Sequence, residues 1–248
     1  MVLFYIRRIY TIWCFAWFFI IFVLLWPFFW VFLQRKEWYW LANWCNRIWT
    51  LVVYTLSCLP LRTEYRFKRK KGEVFVYVPN HTSYIDIPVM LWGVKEHFAF
   101  MGKSSLGKIP FIGYMYTRLN ILVDRKSIKS KANAYNQAMM ELDNGKSLVI
   151  FSEGTISTVA PYPGHFKDGA FRIAIEKQIP IVPVTIPYNW LILPDDGKWA
   201  GRPHFAMAIF HEPIITKGLT LDDIKWLMDK THQIISDEVY KRNPHVNR

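Results

Sequence analysis

The hydrophobic and polar positions divide the chain into two regions that meet near residue 61. Residues 9–33 carry no charged side chain, and two basic residues flank this run at each end, Arg7 with Arg8 and Arg35 with Lys36. A run of roughly 25 apolar residues is long enough to cross a bilayer as a helix. It is too long and too aromatic for a signal peptide, and positive charge at both ends predicts no orientation.

The second apolar stretch, residues 41–61, differs because polar side chains interrupt it at intervals of three or four residues. That interval places them on one face of a helix. The polar positions are Asn43, Asn46, Arg47, Thr50, Tyr54 and Ser57. A narrow polar stripe on an apolar helix suits either the membrane interface or packing against a domain.

Proline and tryptophan residues indicate how this region lies in the membrane. Pro27 is expected to kink the first helix. Four tryptophans are expected at the level of the lipid headgroups, namely Trp38, Trp40, Trp44 and Trp49. We therefore expect residues 1–61 to form a membrane anchor of two hydrophobic helices that dip into one leaflet. The alternatives are a helix that spans the bilayer and a buried helix pair of a soluble core.

Residues 62–248 alternate between short apolar runs and segments with helical periodicity, with no linker between them. The runs predict strands over 73–78, 98–101, 120–123, 147–151, 179–186 and 204–210. The periodic segments predict helices over 87–92, 127–144, 167–177 and 221–241. Pro180 and Pro183 interrupt the predicted strand over 179–186, so that strand is expected to be partly irregular. Strands that alternate with helices indicate one α/β domain.

Charge indicates the kind of surface that the protein binds. Hydrophobic residues make up 52% of the chain, with the excess in the first sixty residues, and the net charge is +12. A basic run follows the apolar region and comprises Arg62, Arg66, Lys68, Arg69, Lys70 and Lys71. In this place it favours acidic lipid headgroups, the alternative being a solvated strand or loop face. No zinc-finger spacing, RNA-binding signature or repeat indicates nucleic acid.

The cysteines indicate whether the domain faces an oxidising or a reducing compartment. Cys14, Cys45 and Cys58 all lie in the apolar region. An odd, widely spaced set predicts neither a disulfide framework nor a metal site. It agrees with a domain that faces a reducing cytoplasm, and the lack of a signal peptide favours a bacterial inner membrane.

The first candidate site is the segment 80–86, which follows a predicted strand and precedes a predicted helix. His81 and Asp86 are five residues apart, so on a regular helix their side chains would diverge by about 140°. They meet only if the backbone turns between them, as it does at a strand-to-helix corner. Asp86 would then orient one ring nitrogen of His81 and leave the other to take a proton. The alternative is a surface histidine beside a helix-capping aspartate.

The sequence contains no G-x-S-x-G motif that would supply a serine nucleophile to this pair. The attacking oxygen would then be a hydroxyl of the substrate. A second candidate site, Phe151 to Thr155, ends a buried strand in a polar turn, in which Glu153 and Gly154 suit contact with a substrate headgroup or an ordinary strand-end turn. Lys103 and Arg125, between the two sites, are candidate phosphate ligands.

Together these sites resemble the glycerolipid acyltransferase family typified by 1-acylglycerol-3-phosphate acyltransferase. Four ordered motifs match, through Asn80, His81, Ser83, Asp86; Lys103, Leu106, Ile109, Pro110, Gly113, Arg125; Phe151, Glu153, Gly154, Thr155, Ser157; and Val182, Pro183, Val184. The helix start that follows the third motif in the family is matched by Phe166, Lys167, Gly169 and Ala170. The resemblance covers residues from about 60 to 215 and implies a mixed sheet flanked by helices, behind an N-terminal hydrophobic helix pair.

The resemblance also implies an activity. His81 would deprotonate the hydroxyl of a lysolipid, with Asp86 orienting it, and the oxygen would attack the thioester of acyl-CoA or acyl-carrier protein. Substrate contacts are implied for Lys103, Arg125, Glu153, Gly154, Thr155 and Lys167. The family uses no metal or redox cofactor. The expected product is phosphatidic acid, made from lysophosphatidic acid in phospholipid biosynthesis.

The chain departs from the family pattern at two positions of the third motif. Ser152 replaces a proline, and Ile156 replaces the arginine expected to bind the acceptor phosphate. Isoleucine makes no phosphate contact, so Lys103, Lys167 or Arg172 would have to substitute. Otherwise the acceptor is another lysolipid, such as a lyso-aminolipid or a lysophospholipid with a larger headgroup. The rival classes are a thioesterase or transacylase, and a non-catalytic membrane-surface scaffold.

Overall fold

A computed structural model describes residues 1–246 and contains a seven-stranded sheet. The strands are β1 (Leu61–Tyr65), β2 (Val76–Pro79), β3 (Phe98–Lys103), β4 (Ile121–Val123), β5 (Ser147–Val149), β6 (Ile181–Thr185) and β7 (Ala206–Phe210). The helices are α1 (Val2–Phe32), α2 (Tyr39–Leu56), α3 (Asp86–Gly93), α4 (Ile112–Leu119), α5 (Ile128–Asp143), α6 (Gly169–Lys177), α7 (Asn189–Ile192) and α8 (Ile224–Arg242). The α/β prediction is confirmed.

The sheet is mixed, as the resemblance implied, and its strand order is β1-β7-β6-β2-β5-β3-β4. The five strands from β6 to β4 in this order are parallel to one another. β7 is antiparallel to β6, and β1 is parallel to β7. The carboxyl ends of the five parallel strands therefore meet at one edge, called the carboxyl edge below, which is where open α/β sheets place their functional loops.

The core has two halves, one on each face of the sheet. Tyr77 and Val182 pack towards α2 and α3 on one face, whereas Val76 and Ile181 pack towards α5, α6 and α8 on the other. Alternate residues of a strand point to opposite faces, so a strand covered by helices on both sides is apolar throughout. This is why the central strands read as continuous apolar runs.

All six predicted strands are present, with ends displaced by up to three residues. The four predicted helices are present too, and α5 begins as expected with the side chain of Ser127 accepting from the backbone N–H of Ser130. The pattern did not predict β1, α4 or α7. β1 is a sheet edge in which three of five residues are polar, and α4 follows Phe111, whose φ of 61° no local pattern announces.

The prediction of an irregular strand around Pro183 was wrong. β6 is a regular, fully buried central strand, and Pro183 pairs with Val78 of β2. On its other side the carbonyl of Pro183 accepts a hydrogen bond from the backbone N–H of His211 at 3.0 Å. Proline cannot return that bond because it lacks an N–H. The pairing of β6 with β7 accordingly covers only two residues of β6.

α1 is long and apolar enough, by length and composition, to cross a membrane, and it is the one such helix among residues 1–246. It continues through Pro27 as one helix. Only 11% of its most apolar window is buried, which a core helix of a soluble protein would not show. Most of its large side chains face outwards, including Ile9, Ile12, Val23 and Leu24.

The central part of the polar stripe of α2 faces the protein. Asn46, Thr50 and Tyr54 are buried against the rest of the chain. The expectation that Trp49 lies at headgroup level was wrong, because its ring is buried against α1 and its Nε1 donates to the carbonyl of Phe18 at 3.0 Å. The other three tryptophans of the set are exposed. α2 therefore turns its polar side inwards and apolar side chains outwards.

Part of the basic run after α2 is engaged within the protein. Arg66 forms ion pairs with Glu64 at 2.9 Å and Glu238 at 2.8 Å, and Arg69 pairs with Glu96 at 3.4 Å. Arg62 lies over an aromatic ring. Three lysines of the run remain exposed, Lys68, Lys70 and Lys71. The predicted lipid-facing cluster is therefore smaller than the sequence indicated.

Candidate active site

Asp86 opens α3 and is completely buried. Its Oδ2 accepts hydrogen bonds from the backbone N–H groups of Thr82 at 2.7 Å and Ser83 at 2.9 Å. The same oxygen lies 2.9 Å from Nδ1 of His81, and Oδ1 accepts from Nδ2 of Asn189 at 2.7 Å. A buried carboxylate is stable only when its oxygens are satisfied in this way. The turn predicted between His81 and Asp86 is thus present, closed by the aspartate itself.

The segment 80–86, called the His81 turn below, is tied to the loops that follow β6. Both ends of the Asn80 amide bond to the backbone of Ile186, the Nδ2 to its carbonyl at 3.1 Å and the Oδ1 to its N–H at 2.7 Å. The hydroxyl of Ser83 donates to the carbonyl of Leu193 at 2.7 Å. These contacts give Asn80 and Ser83 the role of fixing the His81 turn against the loops that follow β6.

The imidazole of His81 lies at the surface of this network, with 15% of its side chain exposed. Its ring packs on that of Phe151 with centroids 4.3 Å apart. Within residues 1–246 no group hydrogen-bonds to Nε2. Because the bond to Asp86 makes Nδ1 the protonated nitrogen, Nε2 carries the free lone pair. The arrangement is a base with its orienting carboxylate.

Glu153 links the His81 turn to the loop that precedes α6. Its Oε1 accepts from the backbone N–H of His81 at 2.7 Å, and its Oε2 accepts from that of Gly164 at 2.8 Å. Burial raises the pKa of Glu153 to about 7, although these two hydrogen bonds act in the opposite direction. The Glu153 carboxylate thus holds two loops together, and only 5% of the residue is exposed.

Gly154 and Lys167 meet over the same turn. Gly154 has a φ of 74°, and a Cβ at this position would lie 2.7 Å from Nζ of Lys167. The backbone N–H of Lys167 donates to the carbonyl of Ser152 at 2.8 Å. The glycine is therefore required for its conformation, whereas the flexible lysine side chain beside it could move aside. The result places an exposed ammonium group beside the turn that contains Glu153.

Lys103 and Arg125 lie at the same carboxyl edge but are not joined to this network. Lys103 ends β3 and pairs with Val123 of β4, so Arg125 follows one strand farther out. β5 separates β3 from β2, which puts Lys103 about 10 Å from the line of β2 at a strand spacing of roughly 4.8 Å. Both side chains are exposed, as is Thr155. The half-buried Ile156 adds no cation.

Comparison with known proteins decides the family. A family model described as Acyltransferase matches residues 61–187, just over half of the chain. The chain belongs to this acyltransferase family. The match includes the His81 turn, the Glu153 turn and Lys167, and it ends before Asn189.

Relatives of this acyltransferase family differ in how much of them the chain covers. A 1-acyl-sn-glycerol-3-phosphate acyltransferase of Haemophilus influenzae is 27% identical over 209 residues, 80% of each chain. The chloroplastic 1-acyl-sn-glycerol-3-phosphate acyltransferase BAT2 of Brassica napus is 31% identical over 140 residues, 56% of this chain. The chain spans about two fifths of the length of such plant relatives, 40% in that case.

The fold is shared with a solved structure. The crystal structure of PlsC, the 1-acyl-sn-glycerophosphate acyltransferase of Thermotoga maritima, superposes with a TM-score of 0.79 at 22% identity. The alignment covers 98% of this chain and 100% of that one. The likeness therefore extends over the N-terminal helix pair as well as the acyltransferase sheet.

Two residues of the acyltransferase site were not predicted from the sequence. Asn189, buried against Asp86, lies 103 positions along the chain from it. Its only local signal is a polar residue just after a buried strand, which is where α/β folds place functional groups. Gly164, which donates to Glu153, carried no signal because its role resides in the backbone N–H.

Proposed function

We propose that this protein is a membrane-anchored O-acyltransferase that transfers a fatty acyl chain from acyl-CoA or acyl-carrier protein to the free hydroxyl of 1-acylglycerol-3-phosphate, giving phosphatidic acid. The observation that carries this proposal is the 2.9 Å contact between His81 Nδ1 and the buried Asp86, with Nε2 left open. The names of relatives such as the Haemophilus influenzae enzyme support the acceptor.

The geometry supports a one-base mechanism. Nε2 of His81 takes the proton of the acceptor hydroxyl as its oxygen attacks the thioester carbonyl. Asp86 stabilises the imidazolium that forms, and its own charge is held by the three other donors around it. Collapse of the tetrahedral intermediate breaks the carbon–sulfur bond, and the proton on Nε2 passes to the leaving thiolate. The reaction then needs no metal or redox cofactor.

The acceptor phosphate must be bound without the arginine that Ile156 replaces. Lys167 is the cation that the structure brings nearest to the Glu153 turn, through its contact with Gly154. Lys103, Arg125 and Arg172 are further candidates. Thr155 and Gly154 would contact the acceptor through the same turn. Because Ile156 removes a phosphate ligand, the second candidate acceptor is a lysolipid of another headgroup, such as a lyso-aminolipid.

The anchor is proposed to comprise residues 1–61 and to lie in one leaflet. Thr11, near the start of α1, accepts from the backbone N–H of Gly201 at 2.8 Å, and Gln34, just after α1, donates to the hydroxyl of Tyr114 at 3.0 Å. These contacts are 23 residues apart in the chain, about 35 Å of helix. A helix that crossed the bilayer would leave one end away from the domain. The domain, residues 62–248, is then proposed to face the cytoplasm of a bacterial inner membrane.

The test is thiol release from acyl-CoA and acyl-carrier protein by the full chain in mild detergent, with a panel of lysolipids. Lysophosphatidic acid should stimulate release at least about 10²-fold over a His81→Ala variant. His245→Ala, which changes an exposed histidine of the C-terminal segment, is the matched control and should match wild type. Release without any acceptor would indicate a thioesterase. Absence of any His81-dependent thiol release with every donor and acceptor would overturn the enzymatic function and leave the scaffold function.

A further inference from the structure

A small cavity with polar and aromatic lining residues lies at the end of β3 opposite the carboxyl edge, away from the His81 turn. It has a volume of about 60 Å³, room for roughly two water molecules. Residues 95–97, just before β3, form one wall. The other wall is one face of α2, where the spacing of three, four and seven residues aligns Trp40, Asn43, Trp44 and Arg47.

Two buried donors at this cavity lack a partner. Nδ2 of Asn43 and Nε of Arg47 are both buried, and neither is hydrogen-bonded within residues 1–246. The far end of the Arg47 guanidinium is held in place, since Nη2 donates to the carbonyl of Val94. Buried N–H groups without acceptors cost free energy unless water or a ligand supplies an acceptor. Both atoms donate, so the missing group is an acceptor.

The net charge around the cavity is positive, because Arg47 and Lys95 outnumber Glu96, which also lines it and attracts Arg47. In the described chain, residues 1–246, neither Arg47 nor Lys95 forms an ion pair with a carboxylate. The carboxylate of Glu96 is engaged elsewhere, because it accepts from the hydroxyls of Tyr77 and Ser147 and pairs with Arg69. Burial, and then the charge of Arg47, lower the pKa of Lys95, in agreement with two cations that face one another. An anion would relieve this repulsion.

The position of the cavity identifies the source of the anion. Trp40 and Trp44 flank it and are 53% and 55% exposed, on the outward side of the helix pair. Exposed tryptophans of membrane-bound proteins lie at the level of the lipid headgroups. We infer that the cavity binds the phosphate of an anionic phospholipid, with Arg47, Lys95 and Asn43 as donors and with Trp40 and Trp44 against the acyl chains.

This lipid is distinct from the substrate. Arg47 lies seven residues before Tyr54, whose hydroxyl donates to the carbonyl of Ile85 in the His81 turn at 2.9 Å. Seven residues are about two turns of helix, so a lipid bound at Arg47 would stabilise the helix that supports the His81 turn without entering it. The inference does not depend on the acyl-transfer activity, because it concerns binding alone.

The test measures thermal stabilisation of the full chain in neutral detergent by dioctanoyl-phosphatidylglycerol and, separately, by inorganic phosphate. The lipid should raise the Tm saturably. Lys95→Gln, a change at an exposed side chain that leaves folding intact, should raise the half-saturating lipid concentration by about 10-fold or more, as should Arg47→Gln. Lys167→Gln, at the other end of the sheet, should leave it within about twofold of wild type.

Arg35→Gln is the matched control for unspecific attraction, since Arg35 lies between α1 and α2 over the ring of Trp38, outside the cavity. Equal losses for Arg35→Gln and Lys95→Gln would overturn the site in favour of diffuse surface charge. Equal stabilisation by inorganic phosphate would assign the cavity to the free ion and overturn the lipid. Stabilisation that only Lys167→Gln abolishes would place the lipid in the acyltransferase site and overturn the inference.

Discussion

The His81 turn and helix α1 are stabilised in opposite ways. In the turn, the buried Asp86 is surrounded by donors at 2.7–2.9 Å, and each neighbouring side chain has a defined partner. α1 instead presents large apolar side chains outwards and touches the domain along one side only. Hydrogen bonds are directional and hydrophobic contacts are not. A single-atom change should therefore disable the turn, whereas α1 should tolerate many substitutions.

The largest expected effect is that of Asp86→Asn. An amide NH2 in place of one carboxylate oxygen would face at least one of the N–H groups that now donate to Asp86, and the imidazolium of His81 would lose its counter-charge. We expect the kcat/KM for acyl transfer to fall by about 10³-fold or more. The matched control is Asp229→Asn, at an exposed position of α8, with little change. An Asp86→Asn enzyme of near wild-type activity would refute the role of the pair.

The second prediction concerns Glu153 and pH. Its pKa of about 7 lies above the ordinary value of 4.5, so the folded protein binds more protons than the unfolded chain between these values. This contribution to stability is complete below about pH 4.5 and is lost as pH rises through about 7, a change of about 3 kcal/mol. Urea unfolding of wild type and Glu153→Gln from pH 5 to 8 measures it.

Glu153→Gln lacks this titration, so the stability difference between the two proteins should shift by about 3 kcal/mol across that range. The half-buried His97 and the buried His211 titrate equally in both proteins and cancel from the difference. A difference that stays constant with pH would show that the two backbone N–H groups hold the carboxylate ionised in spite of its burial.

A third prediction tests how the site manages without the arginine that Ile156 replaces. Lys167→Gln should raise the KM for lysophosphatidic acid by about 10- to 100-fold, because a hydrogen bond to a charged group is worth roughly 1.5–3 kcal/mol, and should change kcat little. Lys241→Gln, on α8, is the matched control. The KM for a lysolipid without phosphate should be unaffected by Lys167→Gln. An unchanged KM would indicate that Lys103 or Arg125, and not Lys167, binds the acceptor phosphate.

The smallest effect is expected at the anchor. Thr11→Val keeps the shape of the side chain but leaves the backbone N–H of Gly201 without its acceptor, which should cost about 1–3 kcal/mol. Amide hydrogen exchange of Gly201 should become faster. Thr55→Val, which removes an exposed hydroxyl from α2, should leave that exchange unchanged. An exchange rate of the Gly201 amide in Thr11→Val equal to that of wild type would contradict the placement of α1 along the domain.

Sequence patterns predicted what depends on neighbours in the chain. The alternation of strands and helices was predictable because a strand buried on both faces has to be apolar, and the ends of helices were marked by residues such as Ser127. The pairing of His81 with Asp86 was predictable because residues five apart meet only where the backbone turns, and a strand-to-helix corner supplies such a turn. Their chemical roles remain predictions.

What could not be predicted depends on residues far apart in the chain. Asn189 reaches Asp86 only because β6 lies beside β2, and Gly164 meets Glu153 through a loop fold with no periodicity. The polar stripe of α2 was compatible with water, lipid or protein, since helical spacing identifies a face and not its neighbour.

The sequence by itself thus determined the α/β class, the apolar N-terminal helices, and the His81 and Asp86 pair, because period, length and turn residues are local properties. Only the tertiary structure decided that Trp49 is buried, that Arg66 is paired with Glu238 across 172 positions, and that Asn43 and Arg47 share a cavity with Lys95. The physical reason is that strand order sets which distant side chains meet, and the local sequence does not contain that order.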